Sequence, residues 1–218
     1  MTDTAVPNRC RIVLIARAAD KGAAPDRVLA ALEGGDVSSL ILVGDEAGGD
    51  KFQDWCEAIT SDAQAKGVAI IVAGDTRVAG RIGADGIHMI AAADDIADAV
   101  KRHNGKMIVG ADGGKTRDEA LDIGEAQPDY IFFGRFGFDN KAEAHPRNLD
   151  LAQWWAEMIE IPCIVQAGSD VASVEAAAAT GAEFVALDAA VFGEGVDPRG
   201  AVAEANRRLD ETAPRFED

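Results

Sequence analysis

The chain is poor in aromatic residues, cysteine and positive charge, and each shortage excludes something. Only 6% of its 218 residues are aromatic while 48% are hydrophobic, so a sizeable core has to be built from aliphatic side chains and alanine. Lys and Arg number 21 against 38 Asp and Glu, a net charge of −17, which leaves no extended basic face for nucleic acid or an anionic membrane. The three cysteines, Cys10, Cys56 and Cys163, are odd in number and show neither CxxC nor Cys/His ligand spacing. They read as reduced thiols of a cytoplasmic protein, not as a disulfide framework or a zinc site. No apolar run is long enough to span a bilayer. Residues 1–9 are polar, with Asp3 and Pro7, and do not read as a signal peptide. A glycine-rich phosphate turn after the first strand is also missing, since Ala16-Arg17-Ala18-Ala19-Asp20 stands there.

What is present is alternation. Short apolar runs at 11–16, 40–43, 68–72, 86–89, 106–110, 130–134, 163–166 and 184–187 read as strands. Amphipathic, Ala-rich stretches at 25–32, 50–66, 77–82, 95–103, 116–125, 149–158, 171–179 and 198–209 read as helices. Thr116 and Ser169-Asp170 sit where helix caps belong, and Pro128 and Pro162 end helices just before a strand. Strands that are apolar throughout belong to a parallel sheet covered on both faces. Three helix-to-strand joints share one design: Gly83-Ala84-Asp85-Gly86, Gln127-Pro128-Asp129-Tyr130 and Gly181-Ala182-Glu183-Phe184. The expected fold is a single (β/α)8 TIM barrel over residues 1–218, with frayed termini at 1–9 and 213–218. A doubly wound open sheet is the runner-up.

A barrel carries its chemistry at the C-terminal ends of its strands. Residues gathered there include Arg17, Asp45, Asp75, Asp94, Asp112, Arg135, Lys141, Ala167, Gly168, Ser169 and Asp188. Asp45, Asp75 and Asp112 can each cap the helix that follows or, converging on one rim, help hold Mg²⁺, which prefers hard oxygen ligands. Gly168-Ser169 stands where many barrels bind phosphate through backbone N–H groups, and a plain Gly-Ser cap is the alternative. The long loop from Gly134 is the only cation-dense connection, with Arg135, Lys141 and Arg147. These cations can meet a phosphorylated substrate or serve as ordinary surface charge. His88, inside the fourth strand, is read as a buried, hydrogen-bonded core residue in preference to a catalytic one.

The stretch Asp75 followed by Gly83-Ala84-Asp85-Gly86-Ile87-His88-Met89 resembles the "ADGVHLGQ" signature of the thiamine phosphate synthase family. Ile108-Val109-Gly110, Asp129-Tyr130-Ile131-Phe132-Phe133-Gly134, Lys141, Ala167-Gly168 and Gly181-Ala182-Glu183-Phe184-Val185-Ala186 follow in the family's order. The resemblance implies a barrel enzyme that joins hydroxymethylpyrimidine pyrophosphate to thiazole phosphate with Mg²⁺, releasing pyrophosphate. It implies Lys141 and Asp75 as catalytic, and Asp75 and Asp94 as metal ligands. Arg17, Asp112, Arg135, Ala167, Gly168, Ser169 and Asp188 then contact substrate. Several family positions differ: a basic pair becomes Val43-Gly44-Asp45, and a Val-Ser pair at the phosphate becomes Asp188-Ala189, whose carboxylate would repel the ester. The alternative is a catalytically degenerate paralogue or a thiazole-tautomerase-like barrel binding a small phosphorylated or cationic ligand. Small phosphorylated substrates are the expected partners, and a homodimer is one open option.

Overall fold

The computed structural model describes residues 6–44, 49–103 and 105–216. Among these, eight parallel strands close a barrel in chain order: β1 (Arg11–Arg17), β2 (Ser39–Val43), β3 (Ala69–Ala73), β4 (Gly86–Met89), β5 (Ile108–Asp112), β6 (Tyr130–Phe133), β7 (Cys163–Gln166) and β8 (Phe184–Leu187). β8 pairs back onto β1 with Leu187 opposite Leu14, which closes the ring and excludes the open sheet. Outside lie α1 (Pro25–Ala31), α2 (Asp50–Ala65), α3 (Thr76–Ile82), α4 (Ala93–His103), α5 (Arg117–Glu125), α6 (Pro146–Met158), α7 (Val174–Ala178), α8 (Ala189–Phe192) and α9 (Pro198–Thr212).

Strand alternation divides the apolar residues into two layers. Ile12, Leu14 and Ala16 of β1 face the helices, in one core with Val28, Cys56, Trp155 and Leu209. Val13 and Ile15 face inward and pack with Ile41, Ile71, Tyr130, Phe132, Ile164 and Ala186. The same period aims Arg17, Asp112 and the residue after β8, Asp188, at the mouth. All three cysteines are free and buried, and burial pushes the Cys56 thiol up to about 12.

The repeated acidic joints have a common task at the opposite end of the barrel. Asp85 accepts the Ile70 N–H at 2.8 Å, Asp129 the Val109 N–H at 2.7 Å, and Glu183 the Cys163 N–H at 2.9 Å. In each case a carboxylate entering one strand satisfies an N–H at the start of its neighbour. Each is a charge-assisted bond that pins the register of a parallel pair.

Several boundaries move from where the sequence puts them. β5 lies two residues further on, because the Lys106 N–H turns back to the His103 carbonyl and pairing starts at Ile108. Asp112 is therefore the last residue of a strand, and Thr116, not Asp112, caps α5 by accepting the Glu119 N–H. α6 begins at Pro146, with His145 Nδ1 accepting the Arg147 N–H as its cap. The single helix expected over 171–179 is a 3₁₀ turn, Val171–Ser173, followed by α7. The Ser173 hydroxyl causes the break, donating to the Asp170 carbonyl and accepting the Gly168 N–H. Fraying is corrected at the inner edge of the N-terminus. Arg9 is 2% exposed and donates to Asp210, Asn206 and the Cys10 carbonyl, tying β1 to α9. Ala213 is buried at the other end.

Candidate active site

The mouth holds a cavity of about 340 Å³ with three phenylalanines in its walls. His88, Phe132, Phe136, Phe138 and Ile90 enclose it, and Asp112, Lys115, Glu119 and Arg135 edge it. β4, β5 and β6 build the floor by register. His88 pairs with Gly110, and Gly110 pairs with Tyr130. A Cβ at Gly110 would overlap the Tyr130 ring, so this glycine lets the phenol lie across β5 and meet His88 Nδ1 at 3.0 Å. Phe132 and Phe136 stack at 5.0 Å between ring centroids, and both meet the imidazole edge-on.

Burial holds the His88 imidazole neutral, its pKa pushed down to about 3. With Nδ1 engaged by the Tyr130 hydroxyl, its Nε2 is buried and has no hydrogen-bond partner. His88 lines the cavity, and a buried ring nitrogen without a partner is an exception among buried polar groups. The expectation of a buried, hydrogen-bonded core histidine is met. Asp112 is half-buried beside it. Burial pushes its carboxyl up to about 6, against the opposing pull of the Gly114 N–H and of Lys115, Arg135 and Arg147.

On the far side of the mouth the segment 134–145 folds over β7 and β8. Lys141 is exposed, but its backbone carbonyl accepts the Ser169 N–H at 2.7 Å. The Ala142 carbonyl accepts the Asp170 N–H, and the Ser169 hydroxyl donates to the Asn140 carbonyl. Gly168 has no room for a Cβ against Ala142 and Glu143, so its glycine serves this close approach. The amides expected to cradle phosphate are therefore committed within the protein: Gly168 N–H to Ser173, Ser169 N–H to Lys141 and Asp170 N–H to Ala142. Ala167 is buried behind them. Gln166, not singled out from the sequence, is buried at the end of β7 and accepts the Arg135 N–H at 2.8 Å, anchoring the start of the loop. The Arg135 guanidinium lies over the Phe138 ring at 4.3 Å.

Arg17 and Asp188 meet at the β1–β8 rim. Arg17 Nη2 pairs with Asp20 at 2.6 Å, and its Nε lies 3.4 Å from Asp188 Oδ2. Asp188 is 3% exposed and both its oxygens are without hydrogen-bond partners.

Asp75 caps α3 through Oδ1 alone, accepting the Arg77 and Val78 N–H groups. Asp94 lies exposed in the first turn of α4, after the neighbouring strand. Asp45 falls outside the described residues. The strand ends thus supply three groupings: the cavity over β4–β6, the loop-covered amides after β7, and the Arg17–Asp188 rim of β1 and β8. The Tyr130 hydroxyl and the Phe136 and Phe138 walls were not picked out from the sequence. A glycine inside the β5 run was the available signal, since it marks close approach of another group.

The profile of the thiamine monophosphate synthase family matches residues 12–191. The chain belongs to this family. It is 31% identical to the thiamine-phosphate synthase of Rhodospirillum centenum, over 91% of this chain and 97% of that one. It is 30% identical to that of Hyphomonas neptunium, over 98% and 100%. Among solved structures, thiamine phosphate pyrophosphorylase from Pyrococcus furiosus superposes with a TM-score of 0.77 at 20% identity, covering 95% of this chain and 98% of that one, which bears on the fold alone. Among the described residues no group of three or more His, Cys, Asp or Glu side chains is placed to hold a metal ion. The family ion does not need one: Mg²⁺ keeps several waters and binds through one or two carboxylates plus substrate phosphates. Asp75, with both cap bonds on one oxygen, and the exposed Asp94 are hard oxygen donors of the kind Mg²⁺ takes. No helix among the described residues is long and apolar enough to cross a membrane.

Proposed function

We propose that the protein makes thiamine phosphate, joining hydroxymethylpyrimidine pyrophosphate to thiazole phosphate and releasing pyrophosphate. The observation that carries this reading is the cavity lined by Phe132, Phe136 and Phe138 together with His88, whose Nε2 has no partner, and Asp112. A flat aminopyrimidine suits it: the ring lies against Phe132 and Phe136, and the Asp112 carboxylate accepts from the exocyclic amine. The neutral imidazole offers Nε2 as the second polar contact.

The chemistry is ionisation followed by capture. The CH₂–O bond breaks with its electron pair going to the pyrophosphate oxygen, and the lone pair of the thiazole nitrogen then forms the new C–N bond. Asp112 stabilises the positive charge that spreads into the aminopyrimidine, and the phenylalanine walls keep water from capturing the cation first. Lys141, Arg135 and Lys115 supply positive charge for the leaving pyrophosphate. Asp75 and Asp94 would hold Mg²⁺, which when bound neutralises that leaving group. The phosphate ester of the thiazole lies on the other side of the segment 134–145, toward Arg17, Gly168 and Ser169.

The test is a coupled assay of thiamine phosphate formation from the two substrates with Mg²⁺. Wild type is expected to turn over, and Asp112→Ala and Lys141→Ala to lose about 10²–10³-fold in kcat, the usual effect of removing one electrostatic stabiliser. Wild-type turnover no faster than these variants overturns the reading.

A further inference from the structure

We propose that Asp188 is the selectivity gate of an anion subsite at the β1–β8 rim: an anion engages Arg17 there only as the guanidinium gives up the Asp188 carboxylate. The inference deepens the proposed function, since it rests on the rim receiving the phosphate ester of the second substrate.

A cavity of about 520 Å³ opens at this rim, lined by the cations Arg17, Lys21 and Arg27, the carboxylates Asp20 and Glu194, and Asn140. Arg27 is already spent, its guanidinium donating at 2.8 Å to the Gly22 and Val196 carbonyls. The β7 amides that could hold an anion are committed to Ser173, Lys141 and Ala142. Recognition of an anion therefore falls to Arg17, assisted by the exposed Lys21.

Arg17 is held short of its full capacity. Its Nη2 bonds to Asp20, but the 3.4 Å separation of Nε from Asp188 is beyond the 2.7–2.9 Å of a charge-assisted bond. Arg17 Nε, Asp188 Oδ1 and Asp188 Oδ2 are all buried without partners. Three unspent hydrogen-bonding atoms side by side are costly in a finished structure. They make sense where one of them waits for a ligand: a tetrahedral anion can take Nε–H and Nη–H together, the fork geometry that arginine offers.

The charges bearing on Asp188 come from β1, as the Arg17 guanidinium, and from the turn after β1, as the Asp20 carboxylate. From the segment 134–145 the Gly137 N–H also pulls its pKa down, although neither Asp188 oxygen has a hydrogen-bond partner. Burial first, and Asp20 after it, raise its pKa to about 6 against the pull of Arg17. Near neutrality the carboxyl therefore passes between an ionised form that retains Arg17 and repels anions and a protonated form that does neither.

The test uses the full chain and inorganic sulfate, which stays doubly charged from pH 5 to 8. Titration calorimetry on wild type is expected to show affinity falling about tenfold or more from pH 5 to pH 7.5. Asp188→Asn is expected to bind sulfate tightly with little pH dependence, and Arg17→Gln to lose binding at every pH. Equal pH slopes in wild type and Asp188→Asn, or sulfate binding that survives Arg17→Gln, overturn the proposal. Asp188→Ser supplies the same comparison if the asparagine variant fails to fold. Because sulfate binding needs no turnover, this result stands apart from the synthase assay.

Discussion

The two ends of the barrel treat the same residue types in opposite ways. At the lower end Asp85, Asp129 and Glu183 each accept a strand N–H, and the buried guanidinium of Arg9 is satisfied by Asp210, Asn206 and a carbonyl. At the upper end Asp188 and His88 are as buried as Arg9, while Asp85 and Asp129 are exposed and Glu183 half-buried, yet it is Asp188 and His88 that keep polar atoms without partners. A folded chain leaves such atoms unpaired only where the surroundings enforce it, and those places cluster at sites of function. The lower carboxylates stabilise the closed ring, and the upper ones carry a cost that a ligand can offset.

Gly110 joins the two ends, and its replacement has the largest expected effect on stability. The methyl of Gly110→Ala would overlap the Tyr130 ring in the packed interior. Overpacking of this kind costs about 1–3 kcal/mol. Displacing the phenol also strips His88 Nδ1 of its partner, so urea denaturation and pyrimidine binding should fail together. Full stability in this variant would break the link drawn between β5 and the cavity floor. Next comes the lower end alone. Asp129→Ala leaves the Val109 N–H without its acceptor, a loss of about 1–2 kcal/mol. Turnover should hold at the temperature where the variant is folded. Reduced kcat with unchanged stability would show that the division between the ends is false.

The scaffold was legible because its signals are local and repeated. The continuous apolar runs and the proline-ended helices placed all eight strands, with the largest boundary error where a turn borrowed residues, as Lys106 does after α4. The acidic joints were visible as a repeat, but their role needed the neighbouring strand, 15 to 20 residues away in sequence. The mouth was legible as a set of positions and not as an arrangement. Arg17, Asp112 and Asp188 could be placed at strand ends by alternation. That the segment 134–145 takes up the Ser169 and Asp170 amides depends on backbone carbonyls, which no residue type announces. Tyr130, Phe136 and Gln166 were hidden for a related reason, since an apolar strand and its loop look the same whether a side chain fills the core or walls a cavity.

The one effect that depends on pH follows from the sign of the Asp188 titration. Its folded pKa, about 6, lies above the ordinary aspartate value of 3.8. Between these values the folded protein binds more protons than the unfolded chain, so stability falls as pH rises through that window. Below about pH 4 the carboxyl is neutral in both states and carries no penalty; above about pH 6 the penalty is complete. A full two-unit shift is worth roughly 3 kcal/mol. Asp188→Asn cannot ionise and escapes this penalty, because a folded value of about 6 is already net of the attraction of Arg17. The variant should therefore melt higher than wild type at pH 7.5 and match it near pH 4. Asp112, raised in the same direction, is present in both proteins and cancels in the difference. A difference in Tm that stays constant across pH 4–7.5 would mean that the upper carboxylate is as well satisfied as those below, and the contrast between the two ends would disappear.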